Sequence, residues 1–182
     1  MEKRLLVAGS GGQGILFLGK LIAYAAMLGG KEVTWFPSYG AEMRGGTANC
    51  TVIISDEMIG SPVVRSIDVL IAMNEASCVR FSKKLQAGGI LVCDDSVNGC
   101  GEDLPGVSIV RVPALQLSAD LNSPLSANMV MAGAFARATG LLQLSAVVKA
   151  LEEITPARMA KTLRLNIDII SKGFDSFGDS KG

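Results

Sequence analysis

The chain is predicted to form a single α/β domain, a Rossmann-like three-layer arrangement with a mostly parallel sheet and helices on both faces. Three observations lead there. The apolar run Leu5-Leu6-Val7-Ala8 breaks into Gly9-Ser10-Gly11-Gly12-Gln13-Gly14, which opens into the proline-free stretch Ile15 to Leu28. That is strand, glycine turn, helix. Apolar runs then alternate with helical stretches along the chain, the pattern of parallel strands joined by crossover helices. Finally, Ile67 to Met73 is apolar throughout except for Asp68, as expected of a strand covered on both faces.

Each element has a local reason. Strand one is Arg4 to Ala8, and the first helix, about Gly14 to Leu28, is apolar almost all round, so it should be buried on more than one side. Gly29-Gly30 stops it. Strand two is Glu32 to Phe36, and strand three is Ala48 to Ser55. A short extended piece at Met58 to Pro62 leads to strand four, Ile67 to Met73. Asn74 is the N-cap of a helix reaching about Leu85. Gly88-Gly89 leads to strand five, Ile90 to Cys93, and Val107 to Val112 is strand six, closed by Pro113. Ala114 to Leu121 is helical. Ser123 as N-cap and Pro124 at the first helical position start a helix that runs to Thr139. Its small residues Gly133, Ala134 and Ala138 allow close packing. Leu144 to Glu153 and Ala157 to Lys172 are amphipathic helices. The domain is expected to span residues 1–172, with 173–182 a tail that frays.

Composition removes whole classes of function. Lys+Arg and Asp+Glu are equal at 17 each and no basic run occurs, so a nucleic-acid footprint is absent. There is no histidine, which excludes Ser-His-Asp and Cys-His catalysis and His-ligated zinc. Cys50, Cys78, Cys93 and Cys100 contain no C-x-x-C, so neither a cluster nor a zinc site is expected. Cys50 and Cys93 read as small buried hydrophobes, and Cys100 as a reduced thiol in an exposed loop. The apolar run after Met1-Glu2-Lys3-Arg4 is too short for a signal peptide. Ile15 to Leu28 contains Lys20 and falls short of the roughly 20 residues of a membrane span. A cytoplasmic protein is expected. Hydrophobic content of 49% and a mean hydropathy of +0.39 fit a sheet covered on both faces, a surface buried in a partner, or both.

Two stretches carry the candidate chemistry. In the first, Gly9, Gly11, Gly12 and Gly14 would let the backbone approach a phosphate at a helix N-terminus, with Gln13 among them. The plainer reading is a tight turn that binds nothing. A dinucleotide site also calls for an acid about 20 residues on, at the tip of strand two. Here that strand ends in Pro37-Ser38-Tyr39, and Glu42 comes too late, so an ordinary NAD site is disfavoured. The second stretch, Pro37 to Gly46, gathers Ser38, Tyr39, Glu42 and Arg44 around Gly45 and Gly46. A guanidinium beside glycines suits an anion; a Glu42–Arg44 pair that only stiffens the loop is the equal alternative. Asn128, near the start of its helix, is placed to donate to a ligand or a neighbouring loop. Asp94-Asp95 lies beyond a strand's carboxyl end, where ligands bind in open α/β sheets, but reads better as a solvated turn or N-cap.

Gly9-Ser-Gly-Gly-Gln-Gly14, Pro37-Ser-Tyr-Gly-Ala-Glu-Met-Arg-Gly-Gly46, Ser61-Pro62, Asp68 and the Asn128 helix together resemble the gamma subunit of 2-oxoacid:ferredoxin oxidoreductases. The likeness spans roughly Arg4 to Lys172, and Tyr39 to Arg44 looks closest to the 2-oxoglutarate or 2-oxoisovalerate type. The resemblance implies oxidative decarboxylation of a 2-oxoacid, 2-oxoglutarate first, to its acyl-coenzyme A, with electrons passed to ferredoxin. Thiamine diphosphate, Mg and iron–sulfur clusters would reside on alpha and beta partner subunits and, in some assemblies, a ferredoxin-like delta subunit. This chain would hold no cofactor firmly and be inactive alone. Its glycine turn and Arg44 loop would contact the phosphates of coenzyme A or brace partner subunits; a homodimer is left open. The alternatives are a pyruvate or branched-chain 2-oxoacid enzyme subunit, a free-standing nucleotide-binding oxidoreductase, or a purely structural module.

Overall fold

The computed structural model describes residues 1–38, 47–100 and 104–176. One sheet organises them. Its strands are β1 (Glu2–Ser10), β2 (Glu32–Ser38), β3 (Thr47–Ser55), β4 (Ile67–Ala72), β5 (Leu85–Asp94) and β6 (Ser108–Val112), in spatial order β2-β3-β1-β4-β5-β6. β1, β4, β5 and β6 pair in parallel. β3 lies antiparallel between β1 and β2, so β2 points the same way as β1 and, among the described strands, β3 alone runs against the rest. The mostly parallel sheet expected from the sequence is present. β3 falls where a strand was expected, but no local pattern announced its antiparallel position between β1 and β2.

The helices are α1 (Ile15–Leu28), α2 (Glu75–Phe81), α3 (Ala114–Asp120), α4 (Ala127–Thr139), α5 (Leu144–Ile154) and α6 (Ala160–Asp175). Side chains alternate across the strands. Leu5, Val7, Val52, Ile54, Val69, Ile71 and Val92 turn to one face, where α1 and α3 to α6 cover them. Leu6, Ala8, Ile67, Leu70, Ala72, Leu91 and Cys93 turn to the other, where Cys78 and Phe81 of α2 meet Val97 and Cys100. α4 is buried along almost its whole length and crosses α6 at two glycines. A Cβ at Gly133 would collide with the Ile170 carbonyl oxygen, and one at Gly173 with that of Val130, so the two backbones touch.

Several boundaries move, each for a physical reason. α4 begins at Ala127 rather than at Ser123: residues 123–126 close a turn of their own through Ser126 N–H donating to the Ser123 carbonyl (2.9 Å). The helix after Asn74 ends at Phe81, and a 3-10 turn over Ser82–Lys84 passes directly into β5, which starts at Leu85. The piece from Met58 to Pro62 is irregular. The break expected after Lys172 falls inside α6, which continues through buried Gly173 to Asp175.

Cys100 is the clearest correction. It is 2% exposed and disulfide-bonded to Cys78, not a reduced thiol in an exposed loop. Gly99, at φ 62°, supplies the left-handed backbone that turns Cys100 inward onto α2. Cys50 and Cys93 are free and buried, as expected. Burial pushes the Cys50 thiol up to about 11 and raises that of Cys93.

Candidate functional site

All the parallel strands deliver their carboxyl ends to one edge of the sheet, and β3 starts there. The glycine turn sits at this edge, between β1 and α1. Gly12 (φ 92°) and Gly14 (φ 69°) take left-handed conformations that favour glycine. Gly11 and Gly12 are exposed, Gln13 and Gly14 half-buried, and Gly9 buried. A Cβ at Gly9 would meet Ile15 Cδ1 at 2.5 Å and Gln13 Oε1 at 2.6 Å. The absence of a side chain there is a packing requirement of the turn itself.

Amide side chains hold the turn open. Gln13 folds back so that its Oε1 accepts from Ser10 N–H (2.7 Å), while its Nε2 donates to the Met73 carbonyl at the end of β4 (3.0 Å). Asn74 Nδ2 donates to Ser10 Oγ (2.5 Å), and Asn74 Oδ1 accepts from Ser77 N–H (2.8 Å), capping α2. Asn128 Nδ2 donates to the Gly14 carbonyl (3.3 Å), and a Cβ on Gly14 would strike that same amide. Gln13, Asn74 and Asn128 thus tie β1, β4, α2 and α4 to one turn. α1 carries no side-chain cap and no acid in its first turn, so among the described residues its positive end has no capping side chain of its own.

The predicted residues are not all in one described place. Gly9, Gly11, Gly12, Gln13, Gly14 and Asn128 come together, as just described. Ser38 ends β2, exposed, and pairs with Asn49 of β3. Tyr39, Glu42, Arg44, Gly45 and Gly46 lie outside the described residues. Their flank Thr47 pairs with Ser10, which brings the start of β3 against the glycine turn. Asn74 is the residue that sequence reasoning missed in this role. Its capping function was legible, but its bond to Ser10 depends on the pairing of β1 with β4, which has no local signal.

Two other features of the sequence are structural. Asp94, 1% exposed, accepts from Ser96 N–H (3.0 Å) at Oδ1 and from Leu115 N–H (3.0 Å) at Oδ2, so it closes its own turn and caps α3. Asp95 is exposed. Asp68 lies at the opposite edge, where it accepts from Arg4 N–H (2.9 Å), Lys3 Nζ (3.2 Å) and Gln86 Nε2 (2.7 Å). The cysteines do not form a ligand set for an iron–sulfur cluster. Cys78 and Cys100 are bonded to each other, and Cys50 and Cys93 lie on opposite faces of the sheet. Among the described residues no group of three or more His, Cys, Asp or Glu side chains is placed to hold a metal ion. No described helix is long and apolar enough to cross a membrane.

Known proteins of the same build supply a context. The chain is 36% identical over 173 residues to the ketoisovalerate oxidoreductase subunit VorA of Methanothermobacter thermautotrophicus, covering 94% of this chain and 36% of that protein. It thus spans about a third of the length of that relative. It is 35% identical over 163 residues to the 2-oxoglutarate synthase subunit KorC of Methanothermobacter marburgensis, covering 86% of this chain and 88% of the relative. The fold matches the gamma subunit of a keto/oxoacid ferredoxin oxidoreductase from Geobacter sulfurreducens with a TM-score of 0.81 at 28% identity, over 96% of this chain and 97% of that one. It also matches the 2-oxoglutarate:ferredoxin oxidoreductase of Magnetococcus marinus, solved with 2-oxoglutarate, coenzyme A and succinyl-CoA bound, with a TM-score of 0.83 at 28% identity, over 94% of this chain and 30% of that one. The model of the pyruvate ferredoxin/flavodoxin oxidoreductase family matches residues 4–176 of the 182, and the chain belongs to that family.

Proposed function

We propose that this chain is the gamma-type subunit of a multisubunit 2-oxoacid:ferredoxin oxidoreductase, with 2-oxoglutarate as the oxoacid. The assembly decarboxylates the oxoacid oxidatively, transfers the acyl group to coenzyme A and delivers electrons to ferredoxin. The observation that carries this reading is the glycine turn, held open at the carboxyl edge of the sheet by Gln13, Asn74 and Asn128 in front of an uncapped helix. Such a turn presents backbone N–H groups to an anion and has no group for decarboxylation or electron transfer. Its part is therefore binding and positioning. Thiamine diphosphate, Mg and the clusters belong to alpha and beta partner subunits, or to a ferredoxin-like delta subunit. The identity to KorC supports 2-oxoglutarate; the identity to VorA makes a branched-chain 2-oxoacid the second reading.

Within that assembly, the turn residues Gly9, Gly11, Gly12, Gln13 and Gly14, with Asn128, Ser38, Tyr39, Glu42, Arg44, Gly45 and Gly46, contact the phosphates of coenzyme A. The coenzyme A complex of the Magnetococcus relative supports this choice of anion. The test is isothermal titration of coenzyme A into the complex carrying either Arg44 or Arg44→Ala. Losing one charge-assisted contact should weaken affinity about tenfold. Equal affinities would reduce the Arg44 loop to a brace between subunits.

A further inference from the structure

We propose that Cys78 and Cys100 form a reversible dithiol–disulfide site whose oxidation state sets the rigidity of the glycine turn. Two facts place the pair in one mechanical line with that turn. Cys78 lies on α2 four residues after Asn74, and its N–H donates to the Asn74 carbonyl (3.1 Å). The Asn74 amide in turn holds Ser10 Oγ. Cys100 belongs to the Asn98–Cys100 turn, separate from α2 in sequence by the whole of β5. The bond therefore fastens the short helix that carries Asn74 to a segment that otherwise meets it through Val97 and Phe81 in a small apolar cluster.

The backbone already stands at bonding distance. The Cα atoms are 5.9 Å apart, within the usual disulfide range, so the two elements as placed accommodate the bond. The chemistry balances through a low-molecular-weight dithiol. One of its thiolates attacks a sulfur of the pair, which breaks the Cys78–Cys100 bond, forms a mixed disulfide and releases the other cysteine as a thiolate. The second thiol of the reagent then displaces the remaining cysteine. The reagent leaves as a cyclic disulfide, having lost two electrons and two protons, and the two cysteines take them up as thiols. Oxidation is the reverse exchange with the corresponding disulfide reagent. Both residues are almost fully buried, so attack proceeds through local opening of the Asn98–Cys100 turn.

Reduction leaves α2 held only by its seven residues' packing and by Asn74. The Asn74–Ser10 contact, and with it the turn, then opens more often. The test uses the full chain, equilibrated in buffers of increasing reduced-to-oxidised dithiothreitol ratio, denatured in acid and alkylated with a maleimide reagent for mass counting. Two of the four cysteines should label in the oxidised protein and all four in the reduced one, with a reversible two-electron midpoint. Hydrogen exchange over Gly9–Gly14 should then run about threefold faster in the reduced wild type. Cys78→Ser and Cys100→Ser should exchange at the reduced rate in both buffers, while Cys93→Ser keeps the response. Four labelled thiols at every ratio, two at every ratio, or equal wild-type exchange rates in the two states would each overturn the proposal. The wild-type measurements decide it even where a serine variant does not fold.

Discussion

One face of the sheet is sealed by α1 and α3 to α6, and its core extends continuously from Leu5 and Ile71 to Phe135 and Ile169. The opposite face is covered, among the described residues, by α2 and the segment around Val97 to Cys100. The thick face is held by surface area and by backbones in contact at Gly133 and Gly173. The thin face, with little area to bury, carries a disulfide and an Asn cap. It also carries the side of the glycine turn that Asn74 holds. Cross-links of this kind fix an element in place without a large core.

The comparison can be broken most sharply on the thick side. Gly133→Ala inserts a methyl group into the Ile170 carbonyl; it should cost about 3 kcal/mol in urea unfolding because neither backbone can retreat. A cost near zero would mean that α4 and α6 can part freely, and the contrast between the faces would lose its basis. On the thin side, Cys78→Ala removes a cross-link between positions 22 apart and should lower stability by about 2 kcal/mol relative to the wild type in the absence of reductant. The same comparison after reduction of both proteins should shrink, since the wild type then lacks the bond as well.

A smaller effect sharpens the picture. Asp94→Ala leaves Leu115 N–H and Ser96 N–H without their side-chain acceptor and should cost about 1 kcal/mol, because two hydrogen bonds to a buried carboxyl are lost. Asp94→Asn, which keeps one acceptor oxygen, should recover part of it. The smallest effect lies away from both faces. Lys31 first, then the amino group of Met1, lowers the exposed Asp56 carboxyl from 3.8 to about 2. A depressed folded-state value contributes stability that is fully present above 3.8 and is lost as the pH falls towards 2. Because the pair is exposed, unfolding midpoints of wild type and Lys31→Met should differ only slightly above 3.8, and should converge near 2.

What could be read from the sequence divides along the same physical line. Strands β1 and β4, helix α1 and the cap at Asn74 are visible because their causes are local: an apolar run, a glycine break, a side chain beside the N–H it satisfies. The small residue Gly133 was legible as a packing site, but its partner Gly173 was not, since 40 residues of intervening chain decide which helix meets it. Cys100 looked solvent-facing because glycines and an asparagine surround it; only the tertiary position of α2 makes it a core residue. The glycine turn was recognisable by its spacing. That Gln13 and Asn74 hold it depends on strand pairing between distant positions, 60 apart from Gln13 to Met73 and 64 apart from Ser10 to Asn74.

The insertion of β3 also has a kinetic meaning. β2 pairs with β3 and, among the described strands, with nothing else, while β3 pairs with β1. β2 therefore joins the sheet only as half of an antiparallel ribbon, whose closure entropy is set by residues 39–46. Closing β2 on β3 spans few residues, whereas β1 and β4 must meet across a much longer stretch of chain, so the ribbon has the smaller closure cost. The residues that the binding proposal relies on, Tyr39, Glu42 and Arg44, lie in the stretch of sequence that joins β2 to β3. A change in the length of that stretch would alter the closure of β2 on β3 as well as the proposed ligand contact.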